Sequence, residues 1–195
     1  MQYRKIKRIF DLFFSLSAIL ILAPLLIILA VLVRVNIGPK VFFSQYRPGI
    51  NGRLFKIYKF RTMLEFDPES PRTDEERITD FGRFLRATSL DELPGLINIL
   101  KGDMSFVGPR PLLVEYLEKY SAEQFRRHDV LPGLSGLAQV RGRNDLSWRN
   151  KFRYDLFYVK KIGFLLDLKI IFETVVVVIT RAGFRSHGEL KKFGD

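Results

Sequence analysis

Cysteine is absent from the 195 residues, and histidine occurs only twice. Without thiols the chain can form no disulfide, no thiolate metal site and no cysteine nucleophile. The sequence also contains neither G-x-x-x-x-G-K-[ST] nor G-x-G-x-x-G, so the common signatures of P-loop and dinucleotide-binding proteins are missing. Any chemistry must therefore come from carboxylates, arginines, lysines or hydroxyls.

Positive charge is concentrated in the first third of the chain. The formal net charge is +11, and residues 1–65 hold eleven Lys and Arg against two acidic side chains. The longest apolar run lies in the same third, so an anionic membrane surface is the simplest partner, with each nearby basic side chain contributing about 1 kcal/mol. A nucleic acid is the weaker candidate for the partner of this positive charge, and we do not expect the chain to bind one. The length predicts one compact unit with a short appendage.

Residues 12–33 carry no charge and have Pro24 near their centre. The run exceeds the roughly 18 residues of a transmembrane helix, and it is too long for a signal peptide. Basic residues flank it on both sides, which favours a cytoplasmic location for both ends. Because proline removes one helical hydrogen bond and favours a bend, we expect a re-entrant helix-break-helix over residues 1–36. A single spanning helix is the alternative.

Residues 37–195 are expected to form a cytoplasmic catalytic domain of mixed α/β, mostly helical class. Residues 41–49 and 51–63 read as two short strands of a β-hairpin with a Gly/Asn turn. The acidic, proline-bearing residues 65–80 are typical of a solvated loop or a short surface helix. Helices are expected at residues 89–101, 111–128, 146–160 and 164–181.

The helix predicted at 146–160 combines aromatic residues with lysines and arginines, a mixture typical of amphipathic helices that lie in the membrane interface. A core-facing apolar stripe with a basic outer face explains the same pattern equally well. The last apolar stretch is interrupted by Asp167, Lys169 and Glu173, so it is too short and too polar to span a bilayer. It is expected to pack against the domain or to rest on the membrane interface.

Asp91 and Glu92 are adjacent carboxylates that precede Pro94, and proline fits only the first turn of a helix. Unpaired N–H groups and the helix dipole would stabilise a carboxylate there and attract a phosphate, which predicts an ionised, nucleophilic Asp91. Ser89 to Glu92 also match the capping box S-x-x-E, in which these side chains merely satisfy helix-end donors. The neighbouring residues favour the chemical interpretation.

Asp103 follows in the next loop, and Arg110 is fixed between Pro109 and Pro111. A rigid arginine beside a turn suits recognition of a phosphate or a planar base. Carboxylates without histidine or cysteine favour a hard cation, and Mg²⁺ bound through one or two carboxylates and substrate phosphates fits them.

Two further features follow along the chain. Gly133 and Gly136 are predicted to let the backbone approach a ligand closely. Arg143 follows them and would supply a second basic wall, although a solvated basic loop is an equal alternative. His128 is expected to be a surface residue of a helix rather than a ligand or a base.

Several motifs occur in order along nearly the whole chain: KRIFDL, the central proline, IYKFRTM, SLDEL, LKGDMSFVGPRPLL, PGLSGLAQVRGRN, SWRNKFRYDLFYVK and FLLDLKII. In these the chain resembles the bacterial sugar transferases known as small monotopic phosphoglycosyltransferases. It looks most like the subgroup that includes the transferase initiating bacterial protein N-glycosylation. One departure is Ala23, because the family often has serine before the central proline.

The resemblance implies transfer of a sugar-1-phosphate from a UDP-sugar, expected to be of N-acetylated hexosamine type, to undecaprenyl (polyprenol) phosphate, with release of UMP. Asp91 would be the covalent nucleophile and the Mg²⁺ ligand, with Glu92 assisting it. The resemblance also implies a catalytic domain on the cytoplasmic face of the bacterial inner membrane, with downstream glycosyltransferases as further partners. The pocket residues that it implies are Lys59, Asp103, Arg110, Pro111, Arg143 and Asp155.

Two other functions remain open from the residues alone. The chain would fit a membrane-anchored basic protein that binds anionic lipid or nucleic acid, with Asp91 and Glu92 serving only as a helix cap. It would also fit an enzyme with the same reactants in which Asp91 binds Mg²⁺ and is never covalently modified.

Overall fold

The computed structural model describes residues 2–142, 145–180 and 193. Its first element, α1, is one continuous helix, Gln2–Asn36, with Pro24 inside it. The predicted break of this segment into two helices is therefore wrong, because the helix continues through Pro24. Proline removes only its own N–H donor from the helix, and the helical hydrogen bonds on both sides are sufficient to carry α1 through that position.

One stripe of α1 packs along the globular part over nearly the whole helix. Its buried positions are Lys7, Asp11 and Ser15 near the start and Leu29 and Val33 near the end; they are four residues apart within each group, and the 14 residues between Ser15 and Leu29 make about four helical turns. Residues at such spacings share one face of a helix. The packed face therefore faces the domain at both ends of α1, and the opposite face is free of it.

Polar contacts fix the first half of α1 to the domain. Asp11 Oδ1 accepts hydrogen bonds from the Ser105 hydroxyl and the Phe106 N–H, each at 3.1 Å. Lys7 Nζ forms a buried ion pair with Asp167 Oδ2 at 2.5 Å. Arg8 donates to the carbonyl oxygens of Ile99 and Leu100 at the end of a short helix. These directional contacts fix the position of α1 along the domain, which apolar packing alone would not do.

The predicted hairpin is confirmed. Strands β1, Phe42–Pro48, and β2, Leu54–Phe60, pair antiparallel, with Phe43 opposite Lys59. A 3₁₀ turn at Ile50–Gly52 joins them. The solvated loop or short surface helix predicted at 65–80 is also confirmed, because the segment is a loop with one exposed helical turn, α2, Asp74–Arg77.

The central helices are short. Helix α3, Asp80–Thr88, which the sequence analysis did not anticipate, precedes a 3₁₀ turn at Leu90–Glu92 and α4, Gly95–Lys101. The predicted helix at 89–101 is therefore two elements. Asn98 is fully buried and joins α4 to β2, because it accepts from the Tyr58 N–H at 3.0 Å and donates to the Lys56 carbonyl at 2.6 Å.

A second, two-stranded sheet was not predicted. Strand β3, Ser105–Val107, pairs parallel with β4, Gly133–Ser135. Between them the predicted long helix at 111–128 is wrong, because that region contains only single turns. These are a 3₁₀ segment at Val114–Lys119, helix α5 at Ala122–Phe125 and a 3₁₀ turn at Arg126–Asp129.

Three glycines allow this region to close tightly. A Cβ on Gly133 would lie 2.1 Å from the Gly108 N, and one on Gly136 would lie 2.2 Å from the Gly108 O. Such distances are impossible for real side chains. Gly133 and Gly136 therefore let the chain approach itself, and the predicted close approach of a ligand at these glycines is not what the fold uses them for.

The remaining helices are α6, Leu137–Val140, α7, Trp148–Lys161, and α8, Phe164–Thr180. The predictions for α7 and α8 are confirmed. Tyr158 and Val159 of α7 and Ile170 of α8 pack with Val107 of β3 in one core cluster. A different cluster joins Val33 of α1 to β2 and α3.

The outer faces of α1 and α8 leave a large apolar surface uncovered. Exposed side chains include Phe13, Ile21 and Ile27 of α1 and Leu165 and Phe172 of α8. In the described part of the chain, α1 is the one helix long and apolar enough to cross a membrane. Exposed apolar surface of this extent indicates a membrane-associated protein.

Candidate active site

Asp91 and Glu92 occupy the 3₁₀ turn that connects α3 to α4. Ser89, which ends α3, has left-handed backbone angles, with φ 57° and ψ 16°, and its side chain makes no capping hydrogen bond to this turn, although its carbonyl accepts from the Glu92 N–H at 3.2 Å. The capping-box interpretation is therefore wrong. A tight turn between two helices, rather than the first turn of a long helix, presents the carboxylate pair.

Glu92 is held by two cations. Its Oε1 accepts from Lys59 Nζ at 2.6 Å and from Arg110 Nη2 at 2.8 Å. Lys59 comes from β2, and Arg110 comes from the loop after β3. The structure thus brings together four residues predicted from the sequence: Asp91, Glu92, Lys59 and Arg110. Both of these hydrogen bonds end on Glu92, and neither reaches Asp91.

The pKa values of the two carboxyls move in opposite directions. Burial, together with the neighbouring charge of Glu92, raises the pKa of Asp91 to about 6. Burial also opposes ionisation of Glu92, but the charges of Arg110 and Lys59 outweigh it and hold the pKa of Glu92 well below its usual range. Asp91 is therefore more basic than an ordinary aspartate, and it is still mostly ionised at neutral pH.

The loop that carries Arg110 is fastened from two sides. Pro109 accepts a hydrogen bond from the Gly133 N–H at 3.0 Å. The Arg110 carbonyl accepts from Arg127 Nη2 at 2.6 Å, and Arg127 also pairs with Asp155 at 2.7 Å. Pro111 is buried beside this loop. Asp155, which was predicted to line the pocket, instead lies behind Arg127.

Three basic residues missed by the sequence analysis lie in the electrostatic surroundings of the site. Burial lowers the pKa of Arg47 of β1 and of Lys151 of α7, and the charge of Arg110 lowers both further; the pKa of Arg47 falls to about 10. Arg86 of α3 is close enough for the charge of Asp91 to act on it. They lie far apart along the chain, so no local pattern identifies them.

Asp103 is not joined to this group by any hydrogen bond or ion pair in the described part of the chain. It follows the end of α4 and accepts a hydrogen bond from Asn98 Nδ2 at 3.3 Å. Arg143 lies outside the described residues.

His128 is buried, contrary to expectation, with Nδ1 3.0 Å from the Gly49 carbonyl oxygen. Burial, assisted by Arg127, lowers its pKa to about 4, so it is neutral near pH 7.

A metal held by protein groups alone has no support in the part of the chain described. No three acidic, histidine or cysteine side chains lie together there. One oxygen of Glu92 is already bound by two cations. Asp91 therefore fits a Mg²⁺ ion only of the kind that takes one carboxylate and completes its shell with phosphate oxygens and water.

A buried Asp91, a neighbouring Glu92 paired with Lys59 and Arg110, and a large exposed apolar surface elsewhere on the molecule suit a membrane-associated enzyme that acts on phosphates. The family model described as "Bacterial sugar transferase" matches residues 2–181. The chain belongs to this family and is a phosphoglycosyltransferase.

Similar proteins extend the comparison. The chain is 46% identical over 182 residues to an uncharacterized sugar transferase, EpsL, of Bacillus subtilis, covering 92% of this chain and 90% of EpsL. It is 39% identical over 199 residues to the undecaprenyl-phosphate galactose phosphotransferase of Salmonella typhimurium, covering 92% of this chain and 42% of that protein.

A third relative, also 39% identical, is the UDP-glucose:undecaprenyl-phosphate glucose-1-phosphate transferase of Klebsiella pneumoniae. The match extends over 181 residues and covers 87% of this chain and 39% of the relative. The chain therefore spans about two fifths of the Salmonella and Klebsiella proteins and nearly all of EpsL.

Proposed function

We propose that this protein transfers a sugar-1-phosphate from a UDP-sugar to undecaprenyl phosphate, releases UMP, and passes through a covalent phosphosugar on Asp91. The observation that carries the proposal is the asymmetry of the dyad. Glu92 is occupied by Lys59 and Arg110, whereas Asp91 is a buried carboxylate of raised pKa. A carboxylate in that state suits a nucleophile better than a structural ion.

In the first half-reaction an Asp91 oxygen attacks the β-phosphorus of the donor. A bond forms between that oxygen and phosphorus, the bond from the β-phosphorus to the bridging oxygen breaks, and UMP leaves with the bonding electrons. Arg110 and Lys59 supply positive charge beside the reacting phosphate. Mg²⁺ held by Asp91 and the diphosphate would neutralise the charge that develops on UMP.

In the second half-reaction a phosphate oxygen of the polyprenol phosphate attacks the same phosphorus. The bond from phosphorus to Asp91 breaks, the carboxylate is regenerated, and a polyprenol diphosphate sugar is formed. Splitting one displacement into two in this way is the usual advantage of covalent catalysis. The names of the Salmonella and Klebsiella relatives support a lipid-phosphate acceptor.

Arg86 is the candidate for binding the acceptor phosphate. Its Nε donates to the Thr62 hydroxyl at 2.9 Å, and its Nη1 is buried without a hydrogen-bond partner among the described residues. A buried N–H without an acceptor is costly, so an incoming phosphate oxygen would satisfy it. We expect Arg86→Lys to slow decay of the adduct by undecaprenyl phosphate more than it slows adduct formation. Equal slowing of both steps would contradict this assignment.

We also propose that α1 is re-entrant without the predicted break, by a bend at Pro24 within one continuous helix, so that both of its ends and the catalytic domain lie on the cytoplasmic face of the bacterial inner membrane. A helix of 35 residues is about 50 Å long, whereas the hydrocarbon core is about 30 Å thick. Because α1 packs on the polar domain from Lys7 to Val33, a helix that spanned the bilayer would place polar surface of that domain inside the hydrocarbon core.

Topology is tested with single cysteines, since the chain has none of its own. Lys5→Cys and Lys40→Cys replace exposed residues near the two ends of α1. Both should react with a membrane-impermeant maleimide in inverted vesicles and neither in intact cells. Labelling of the two positions from opposite sides would establish a spanning helix.

The covalent step is tested without any acceptor. Purified protein is incubated with a UDP-sugar and Mg²⁺, and UMP and the intact protein mass are measured. One UMP per protein and an adduct mapped to Asp91 are expected. A ternary-complex enzyme would release no UMP until lipid is added, and it would carry no adduct at any stage. A panel of UDP-sugars identifies the donor, because the N-acetylated hexosamine type remains a prediction, and two relatives are named for galactose and glucose.

A further inference from the structure

Arg110 reaches the dyad from a loop, and a loop alone does not hold a side chain accurately. Its guanidinium contacts Glu92, and it is about half exposed. The proposed reaction requires this cation to stay beside the diphosphate while charge moves from donor to UMP. The fold must therefore fix the backbone from which Arg110 projects.

That fixation comes from a buried ion pair behind the loop. Arg127 Nε and Nη2 both donate to Asp155 Oδ2, at 3.0 and 2.7 Å, and the same Nη2 donates to the Arg110 carbonyl at 2.6 Å. The Arg127 side chain is 2% exposed and that of Asp155 6%. The pair thus joins α7, which carries Asp155, to the main chain of the Arg110 loop.

Stability alone does not explain a pair of this kind. Removing two charges from water costs as much as their attraction returns, and well-packed apolar residues often replace such pairs without loss. The feature that apolar residues could not supply is the hydrogen bond to the Arg110 carbonyl. Lysine could not supply it either, because its side chain ends one bond short of the Nη2 position.

We propose that Arg127 and Asp155 are positioning residues for phosphoryl transfer, which act by holding the main chain of Arg110 so that its guanidinium stays against Glu92. The inference rests on the proposed function. It assigns Asp155 a role through Arg127 in place of the direct pocket contact expected from the sequence, and neither residue touches the substrate.

The decisive experiment measures the rate of adduct formation at saturating UDP-sugar. Arg127→Lys keeps a charge for Asp155 and loses the carbonyl hydrogen bond, and we expect a roughly 10- to 100-fold slower rate, as for other small displacements of catalytic groups. The double variant Arg127→Met with Asp155→Leu keeps the core filled and should be equally slow. Arg126→Lys, the same change at an exposed neighbour, should behave as wild type.

A double-mutant cycle separates positioning from general structural damage. If Arg127 acts through Arg110, then Arg110→Lys combined with Arg127→Lys should be no more than about twofold slower than Arg110→Lys alone. Multiplying effects would overturn the proposal, as would normal rates in the Met and Leu double variant. If wild-type protein forms no adduct, the proposed function fails instead, so the two failures are distinguishable.

Discussion

Replacing Asp91, the proposed nucleophile, with asparagine should make the protein more stable. In Asp91→Asn the side chain keeps its shape and loses the charge that burial and Glu92 oppose. The pKa of Asp91 is raised from its ordinary value of 3.8 to about 6. Two pKa units correspond to about 3 kcal/mol of free energy of unfolding at neutral pH, which is the upper limit of the gain. For a chain of this length that corresponds to an increase in Tm of roughly 5 to 10 °C.

The gain has a defined pH dependence. The folded-state pKa of Asp91 is above its unfolded value, so the folded state binds the proton more tightly. Wild-type protein is therefore stabilised by protonation as pH falls from about 6 towards 4. The advantage of Asp91→Asn should be complete above that interval and vanish below it, where wild-type Asp91 is neutral as well.

The assay is thermal unfolding of the purified protein in one detergent between pH 4 and 8. Glu92→Gln is the matched control with the opposite sign, because the pKa of Glu92 is lowered in the folded state and its charge pairs with Lys59 and Arg110. That variant should lose stability at neutral pH. An Asp91→Asn protein no more stable than wild type at pH 7.5, or equally advantaged at pH 4, would refute the reasoning.

Two further predictions concern the scaffold. Asn98→Ala should lower the free energy of unfolding by about 2 kcal/mol or more, because it leaves two buried backbone groups unpaired; Asn36→Ala, at an exposed site, should change little in the same denaturant titration. Gly133→Ala should abolish accumulation of folded protein, since its Cβ would lie 2.1 Å from the Gly108 N. Gly163→Ala, whose nearest neighbour is 3.7 Å away, should fold normally by size-exclusion chromatography.

Local patterns in the sequence were sufficient for the hairpin, α7, α8 and the apolar character of α1. These elements are confirmed because their hydrophobic periodicity and turn residues are contained within one segment. The prediction of a helix at 111–128 is wrong for the opposite reason. Its turns follow the path between β3 and β4, and that parallel pair depends on residues far apart in the chain.

In the candidate site, too, some residues are identified by local patterns in the sequence and others are not. Asp91 and Glu92 are recognisable as adjacent carboxylates before a proline, and Lys59 and Arg110 belong to motifs of the family that the chain resembles. Arg127 carries no local sign of its role, because its partners are the Asp155 side chain and a carbonyl oxygen of another loop. Long-range main-chain contacts of this kind become visible only once the chain is folded.

The opposite pKa shifts of Asp91 and Glu92 suit the proposed mechanism, in which Asp91 is first the nucleophile and then the leaving group. A more basic carboxylate attacks phosphorus faster, but it departs more slowly when the lipid phosphate displaces it. A pKa near 6 keeps Asp91 mostly ionised at neutral pH while making it a better nucleophile than an ordinary aspartate. Glu92, fixed as an anion by Lys59 and Arg110, helps to produce that value. The dyad therefore acts as one electrostatic unit in which the second carboxylate adjusts the basicity of the first.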